Sequence, residues 1–255
     1  MLKNRVIPVL LLKNSGLVKT QKFKDPKYVG DPINAIRIFN EKEVDELMVL
    51  DIAASKEKRD PNYKLIEQFA GECFMPIAYG GGIRNIEQAQ RLFACGVEKI
   101  CLQTAVLENP RFVTELSEKF GSQSIVVSVD IKRNWFGHVE VYNFLKKKSM
   151  SINLFELIKQ LVAAGAGEIL LNTVDKDGTL SGPDLESIKK VSSVIDIPLI
   201  AVGGISSLND IKTAVDSGAS GVAAGAFFVY YGPHRAVLIT YPKYEDLEKL
   251  LNNGD

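Results

Sequence analysis

The chain of 255 residues is 46% hydrophobic and 24% charged, and its 31 Lys and Arg balance its 31 Asp and Glu. That is the composition of a globular protein with a full core, and the neutral balance argues against bulk nucleic-acid or anionic-membrane binding, which needs a basic excess. No apolar stretch reaches the ~20 residues that span a bilayer, and Cys73, Cys95, Cys101, His138 and His234 lack metal-ligand or disulfide-framework spacing, so a cytoplasmic protein with no metal and no cofactor is expected.

The first apolar run, RVIPVLLL (5–12), lacks a small-residue cleavage site and reads as a strand and not a signal peptide. Seven more follow: ELMVLDI (46–52), MPIAYG (75–80), EKICLQ (98–103), SIVVSVDI (124–131), EILLNTV (168–174), IPLIAVG (197–203) and GVAAGAF (221–227). Such short, nearly continuous runs suit strands buried on both faces of a parallel sheet. Between them lie helix-like stretches such as NIEQAQRLFACG, SINLFELIKQLVAAG and SLNDIKTAVDSG. Several open on Asp, Asn or Ser and several close on Gly, the usual helix start and stop signals. Alternation of eight strands with eight helices predicts an α/β fold, a (β/α)8 TIM barrel forming one domain over residues 1–255. A doubly wound open sheet is the alternative. Residues 132–150 are long for a βα loop, and the alternation in HVEVYNF predicts a small hairpin over the barrel mouth.

An internal repeat sharpens the prediction. Glu46 and Glu168 begin corresponding strands 122 positions apart. Pro76 and Pro198, Gly81 and Gly203, Gly82 and Gly204, Ile83 and Ile205, and Gly96 and Gly218 keep the same offset. One constant register across separate stretches predicts two fused half-barrels.

The repeat doubles the glycine-rich turns, PIAYGGGIRN (76–85) and PLIAVGGISS (198–207). Glycine lets the backbone approach an anion, and the following helix offers free N–H groups. A plain turn is the competing explanation for either one alone; two at symmetric positions favour phosphate. Gly225 and Ala226 are small enough to complete the second site, while Gln103 and Thr104 hold the matching place in the first. Two such sites imply an elongated ligand with a phosphate at each end. Asp51, Asp130, Asp175 and Asp177 lie at strand ends, where barrels carry their chemistry. Asp130 is a candidate general acid or base, or else pairs with Lys132 or Arg133. Asp177 and Gly178 form a turn that could also aim backbone N–H groups at a ligand. Aligning RVIPVLLLK (5–13) with SIVVSVDIK (124–132) sets Leu11 opposite Asp130, so a symmetric aspartate pair cannot operate. Arg5, Glu46, Lys99 and Glu168 head four strands at the remote end. They read either as an ion-pair plug or as a gate for a small polar molecule.

These segments together resemble the HisF family, the cyclase subunit of imidazole glycerol phosphate synthase. The resemblance rests on RVIPVLLLK, LVKT, LDIAAS, YGGGIRN, TAVLENP, FGSQSIVVSVDIKR, GAGEILLNTVDKDGT and IAVGGI. It implies a glutaminase (HisH-like) partner docked at the strand N-termini, ammonia passing through the barrel, and a bis-phosphorylated ligand at the mouth. The family's two acid–base aspartates map to Asp130 and to position 11, here leucine. Its gate maps to Arg5, Glu46, Lys99 and Glu168. Phosphate and ligand contacts map to Gly82, Gln103, Thr104, Asp177, Gly178, Gly203, Gly204 and Gly225, and the basic residue of the first mouth loop to Lys19. Gln103, Ala226 and the YYGPHRAVLITYPKYEDL stretch depart from the family pattern. The VLLL start, YVGDPINA and the RAVLI-YP tail resemble a diverged branch that supplies ammonia to a third protein, an amidotransferase building acetamidino groups on surface sugars. A cyclase of histidine biosynthesis and a non-catalytic, phosphate-binding scaffold are the other two readings.

Overall fold

The computed structural model describes residues 4–252. Eight parallel strands form the barrel: β1 (Arg5–Lys13), β2 (Leu47–Asp51), β3 (Ile77–Gly80), β4 (Lys99–Leu102), β5 (Ile125–Arg133), β6 (Glu168–Thr173), β7 (Leu199–Val202) and β8 (Gly221–Ala224). Each pairs with its neighbours in sequence, and β8 closes on β1 with Arg5 opposite Gly221. The open-sheet alternative is thereby excluded.

The apolar runs are continuous because each strand is covered on both faces. Along β1, Val6, Leu10 and Leu12 pack outward under the helices, while Ile7 and Val9 point inward. The inner cluster draws Ile7, Met48, Ala78, Cys101, Val126, Leu170, Ile200 and Ala223 from the eight strands in turn. The barrel is therefore a packed core, each filled side chain worth about 1.5–3 kcal/mol except the small ones. Leu11, Leu50 and Val202 lie on top of this plug, half-buried.

The helices α1 (Pro32–Glu41), α2 (Tyr63–Glu72), α3 (Ile86–Ala94), α4 (Arg111–Phe120), α5 (Leu154–Ala163), α6 (Leu185–Ser192), α7 (Leu208–Asp216) and α8 (Tyr244–Asn252) cover the outside. Asn85 caps α3 by accepting from the Gln88 N–H, and Ser207 caps α7 by accepting from the Asp210 N–H. The repeat extends to torsion angles: φ is 116° at Gly81 and 112° at Gly203, and 76° at Gly82 and 90° at Gly204.

Three additions decorate the frame. Gly16–Gln21 and Lys24–Gly30 form an antiparallel hairpin after β1, unforeseen in the sequence. Val139–Asn143 and Lys148–Met150 continue β5 as the expected mouth hairpin. Beyond β8, a short helix (Ala226–Val229) leads to a hairpin pairing Tyr230–Tyr231 with Ala236–Val237. The tail then ties to the barrel base, where the Tyr241 hydroxyl donates to the Val6 carbonyl at 2.9 Å. No helix among the described residues is long and apolar enough to cross a membrane.

Candidate functional site

The C-terminal ends of the strands surround one cavity of about 510 Å³. Its lining includes Leu11, Lys19, Asp51, Gly81, Gly82, Gln103, Thr104, Asp130, Asp177, Gly178, Gly203, Gly204, Gly225 and Ala226. The mouth candidates thus converge from all parts of the chain.

Asp130 sits near the end of β5, almost fully buried. Its Oδ2 accepts from Gln103 Nε2 at 2.8 Å and its Oδ1 from Ser128 Oγ at 3.5 Å. Burial pushes its carboxyl up to about 7, while hydrogen bonds from Asn172 and Ser128 pull the other way. A carboxyl balanced near neutrality exchanges protons readily at physiological pH. Pairing with Lys132 or Arg133 does not occur. Arg133 binds Asp184 and Glu186, and the Lys132 ammonium lies over the Tyr142 ring. Leu11 puts an apolar side chain into the same cavity beside Leu50 and Val202.

The glycine turns face each other across the mouth. A Cβ on Gly81 would lie 2.4 Å from the Asp51 carbonyl, and one on Gly203 would lie 2.8 Å from the Thr173 carbonyl. Both positions need glycine for the backbone to pass. Thr104 begins a short helix (Thr104–Glu108), and its hydroxyl donates to Gln103 Oε1 at 3.2 Å. Asp51 lines the cavity and also orders its own loop. It accepts from the Ala53 and Ala54 N–H groups and pairs with Arg59.

The hairpin after β1 folds over the cavity and is latched there. Asp177 Oδ2 accepts from Thr20 Oγ1 at 2.8 Å and from the Phe23 N–H at 3.1 Å, and the Lys22 N–H donates to the Asp177 carbonyl at 2.9 Å. Gly178 (φ 64°) lies so close to Thr20 that a Cβ would fall 2.1 Å from its carbonyl oxygen. The Phe23 ring packs edge-on against Tyr142 and Phe144 of the second hairpin. Lys19 points inward from this hairpin, 5% exposed, with Nζ 2.5 Å from the Val9 carbonyl. Desolvation lowers its amine to about 8.

At the opposite end the four strand-start charges close into an alternating ring. Arg5 pairs with Glu46 and, at 3.0 Å, with Glu168; Lys99 pairs with Glu46 at 2.8 Å and with Glu168 at 3.0 Å. Burial works against the Arg5 charge, yet Glu46 and Glu168 raise its affinity for the proton. Each carboxylate also keeps one buried oxygen, Glu46 Oε1 and Glu168 Oε2, that no group among the described residues hydrogen-bonds.

Ser128, Asn172 and Phe23 also belong to the mouth and were not singled out in the sequence. Ser128 lies two residues before Asp130, on the same strand face. Asn172 pairs in register with Asp130, and the alignment of adjacent strands could have found it. Phe23 had no local signal, since only the folded hairpin brings it to Tyr142.

Fold and torsions together define a twofold-repeated (β/α)8 barrel with a cavity at one end and a charged ring at the other. The family model described as "Histidine biosynthesis protein" matches residues 5–234. A provisionally named imidazole glycerol phosphate synthase subunit HisF of Leptospira borgpetersenii is 50% identical over 254 residues, covering 98% of this chain and 99% of the relative. A protein of Pseudomonas aeruginosa, provisionally named subunit hisF2 of the same synthase, is 50% identical over 255 residues, with 98% and 99% covered. The HisF subunit of Streptococcus sanguinis is 38% identical over 232 residues, with 91% and 92% covered. The chain belongs to this family, that of the HisF-like imidazole glycerol phosphate synthase subunits.

Proposed function

We propose that the chain is the barrel subunit of a glutamine amidotransferase complex. Ammonia released by a glutaminase subunit enters at the charged ring, crosses the barrel and reaches a phosphorylated acceptor at the mouth. A third protein completes the amidation, which builds acetamidino groups on sugars for surface polysaccharide. The observation that carries this reading is the pairing of a closed Arg5–Glu46–Lys99–Glu168 ring with Leu11 at the mouth. A ring kept only for stability needs no charges, since apolar residues of like volume serve at least as well. Glu46 and Glu168 flank Lys99, and their carboxylate oxygens are acceptors of the kind a small N–H donor such as ammonia uses. Leu11 can neither give nor take a proton, so the mouth lacks one of the two acids a cyclase of this family would use. Provisional names of relatives as hisF2 and hisF3 in Pseudomonas aeruginosa and Vibrio vulnificus fit a branch set apart from the ordinary synthase subunit. The paired glycine turns at Gly81–Gly82 and Gly203–Gly204 serve as phosphate cradles, with Thr104 and Gly225 beside them.

The test is complementation of a cyclase-deficient histidine auxotroph, run beside a complex reconstituted with the glutaminase and the third protein. No growth, together with glutamine-driven amidation in the complex, is expected. Growth at the rate given by an ordinary synthase subunit would assign the chain to histidine biosynthesis instead.

A further inference from the structure

Among the described residues, Lys19 is the one buried lysine. Its side chain runs from the hairpin strand Gly16–Gln21 into the cavity and is 5% exposed. Nζ has one hydrogen-bond partner, the Val9 carbonyl, just past Pro8, where the β1–β8 ladder ends. Among the described residues it makes no ion pair. Asp177, the carboxylate whose charge reaches it, directs its own oxygen to Thr20 and Phe23. Val9 and Leu11 line the cavity beside it. Gly225 is what lets the amine fit, since a Cβ there would stand 2.7 Å from Nζ. A buried ammonium with one neutral acceptor is poorly stabilised, and the free amine is a nucleophile.

We propose that Lys19 is an imine-forming amine, and that the mouth takes a phosphorylated aldehyde or ketone whose carbonyl carbon Lys19 binds covalently. The inference rests on the proposed phosphate role of the second cradle, Gly203, Gly204 and Gly225, because Gly225 places the amine at that cradle's edge. A phosphate held there brings the carbons of a short sugar phosphate alongside Nζ. The amine lone pair attacks the carbonyl carbon, the carbonyl oxygen takes a proton from water in the open mouth, and the nitrogen gives one of its own protons to the hydroxide left behind. The carbinolamine then loses its hydroxyl with a further proton as water, leaving the C=N bond. The sum is one amine and one carbonyl giving one imine and one water, with no oxidant or reductant. With its amine lowered to about 8, Lys19 holds about three hundred times more free amine at neutral pH than a surface lysine.

The test uses the intact chain with pyridoxal 5′-phosphate, an aldehyde carrying a phosphate, followed by borohydride reduction, intact mass and peptide mapping. At equimolar probe the expected product is one adduct per chain, at Lys19. Its rate should exceed that of surface lysines by at least about tenfold, the gain in free amine being partly offset by the weaker base's lower nucleophilicity. Excess inorganic phosphate should suppress it, pyridoxal without phosphate should react more slowly, and Lys19→Arg should abolish it. Adducts spread over surface lysines with Lys19 unmodified would overturn the inference, leaving Lys19 a counter-ion only. Equal labelling by pyridoxal and its phosphate would overturn it too. The map is read on the unaltered chain, so the result stands even if Lys19→Arg fails to fold. A chain that forms the Lys19 adduct yet passes no ammonia in the reconstituted complex supports this inference and removes the amidotransferase reading. One that passes ammonia but forms no adduct does the reverse.

Discussion

Leu11 and Asp130 occupy related places on β1 and β5, and their chemistry could hardly differ more. Leu11 adds apolar surface to the cavity beside Leu50 and Val202. Asp130 is buried among Ser128, Gln103 and Asn172 and titrates near 7. Loss of one acid–base group costs a reaction about 10²–10⁴-fold. The purified chain given free ammonia and the bis-phosphate substrate of the synthase should therefore turn over at least about a hundredfold more slowly than an ordinary subunit. A spectrophotometric cyclase assay measures this, and near-normal turnover would contradict it. Asp130 also leaves a thermodynamic trace. Its folded pKa lies above the ordinary 3.8, so the folded state holds the proton more tightly. Its contribution is fully present below about pH 4 and is lost as pH rises through 7. Asp130→Asn removes that dependence. The variant should gain stability relative to the parent as pH rises from 4 to 8, by at most about 4 kcal/mol for a shift of this size. Melting curves at the two pH values check it; equal differences at both would mean that Asp130 is ionised at no cost.

At the scale of elements, the hairpin over residues 16–30 is held by contacts far apart in sequence. Asp177 receives three hydrogen bonds from it, two on the carboxylate and one on the backbone carbonyl. Asp177→Ala removes the two on the side chain, worth together about 1–3 kcal/mol. The hairpin should then open about ten times more often, since 1.4 kcal/mol is a factor of ten. Limited tryptic cleavage at Lys22 or Lys24 reads this directly: faster nicking there, with the barrel intact, is expected, and an unchanged rate would show that Phe23 packing alone holds the latch. This element was hidden in the sequence. KTQKFKDPKYVG has no strong alternation and is largely exposed on its outer strand, so no core face announced it. The eight barrel strands were legible for the opposite reason: burial on both faces leaves continuous apolar runs. Their limits were overshot where glycines follow. GVAAGAF ends as strand at Ala224, because Gly225 turns the chain into a short helix. The 132–150 hairpin was legible from the alternation of HVEVYNF, and Val141 and Asn143, two residues apart, are its buried positions.

Across the whole molecule, the twofold repeat sets the two glycine turns on facing sides of one mouth, with matching φ angles and matching carbonyls where a side chain would go. A crystal soaked in sulfate should carry one anion at Gly81–Gly82 and one at Gly203–Gly204. An anion at neither would mean that the mouth no longer holds phosphate. The site candidates were legible because barrels gather strand ends whatever their distance in sequence, and the ring because four strand starts carried charges of alternating sign. Asp51 shows what such reading leaves out. Its strand-end position placed it at the cavity, where it lies, but its contacts to the loop Ala53–Arg59 had no signal in the residue types. The central claim, that ammonia passes the charged ring, is tested most directly by Lys99→Met in the reconstituted complex. Methionine keeps much of the volume and removes the cation bound to both Glu46 and Glu168. The quantity to measure is glutamate released per amidated product, with circular dichroism to establish that the variant is folded. A ratio well above that of the parent is predicted, because glutamine is hydrolysed while ammonia escapes; a folded variant with the parent's ratio would contradict passage through the ring.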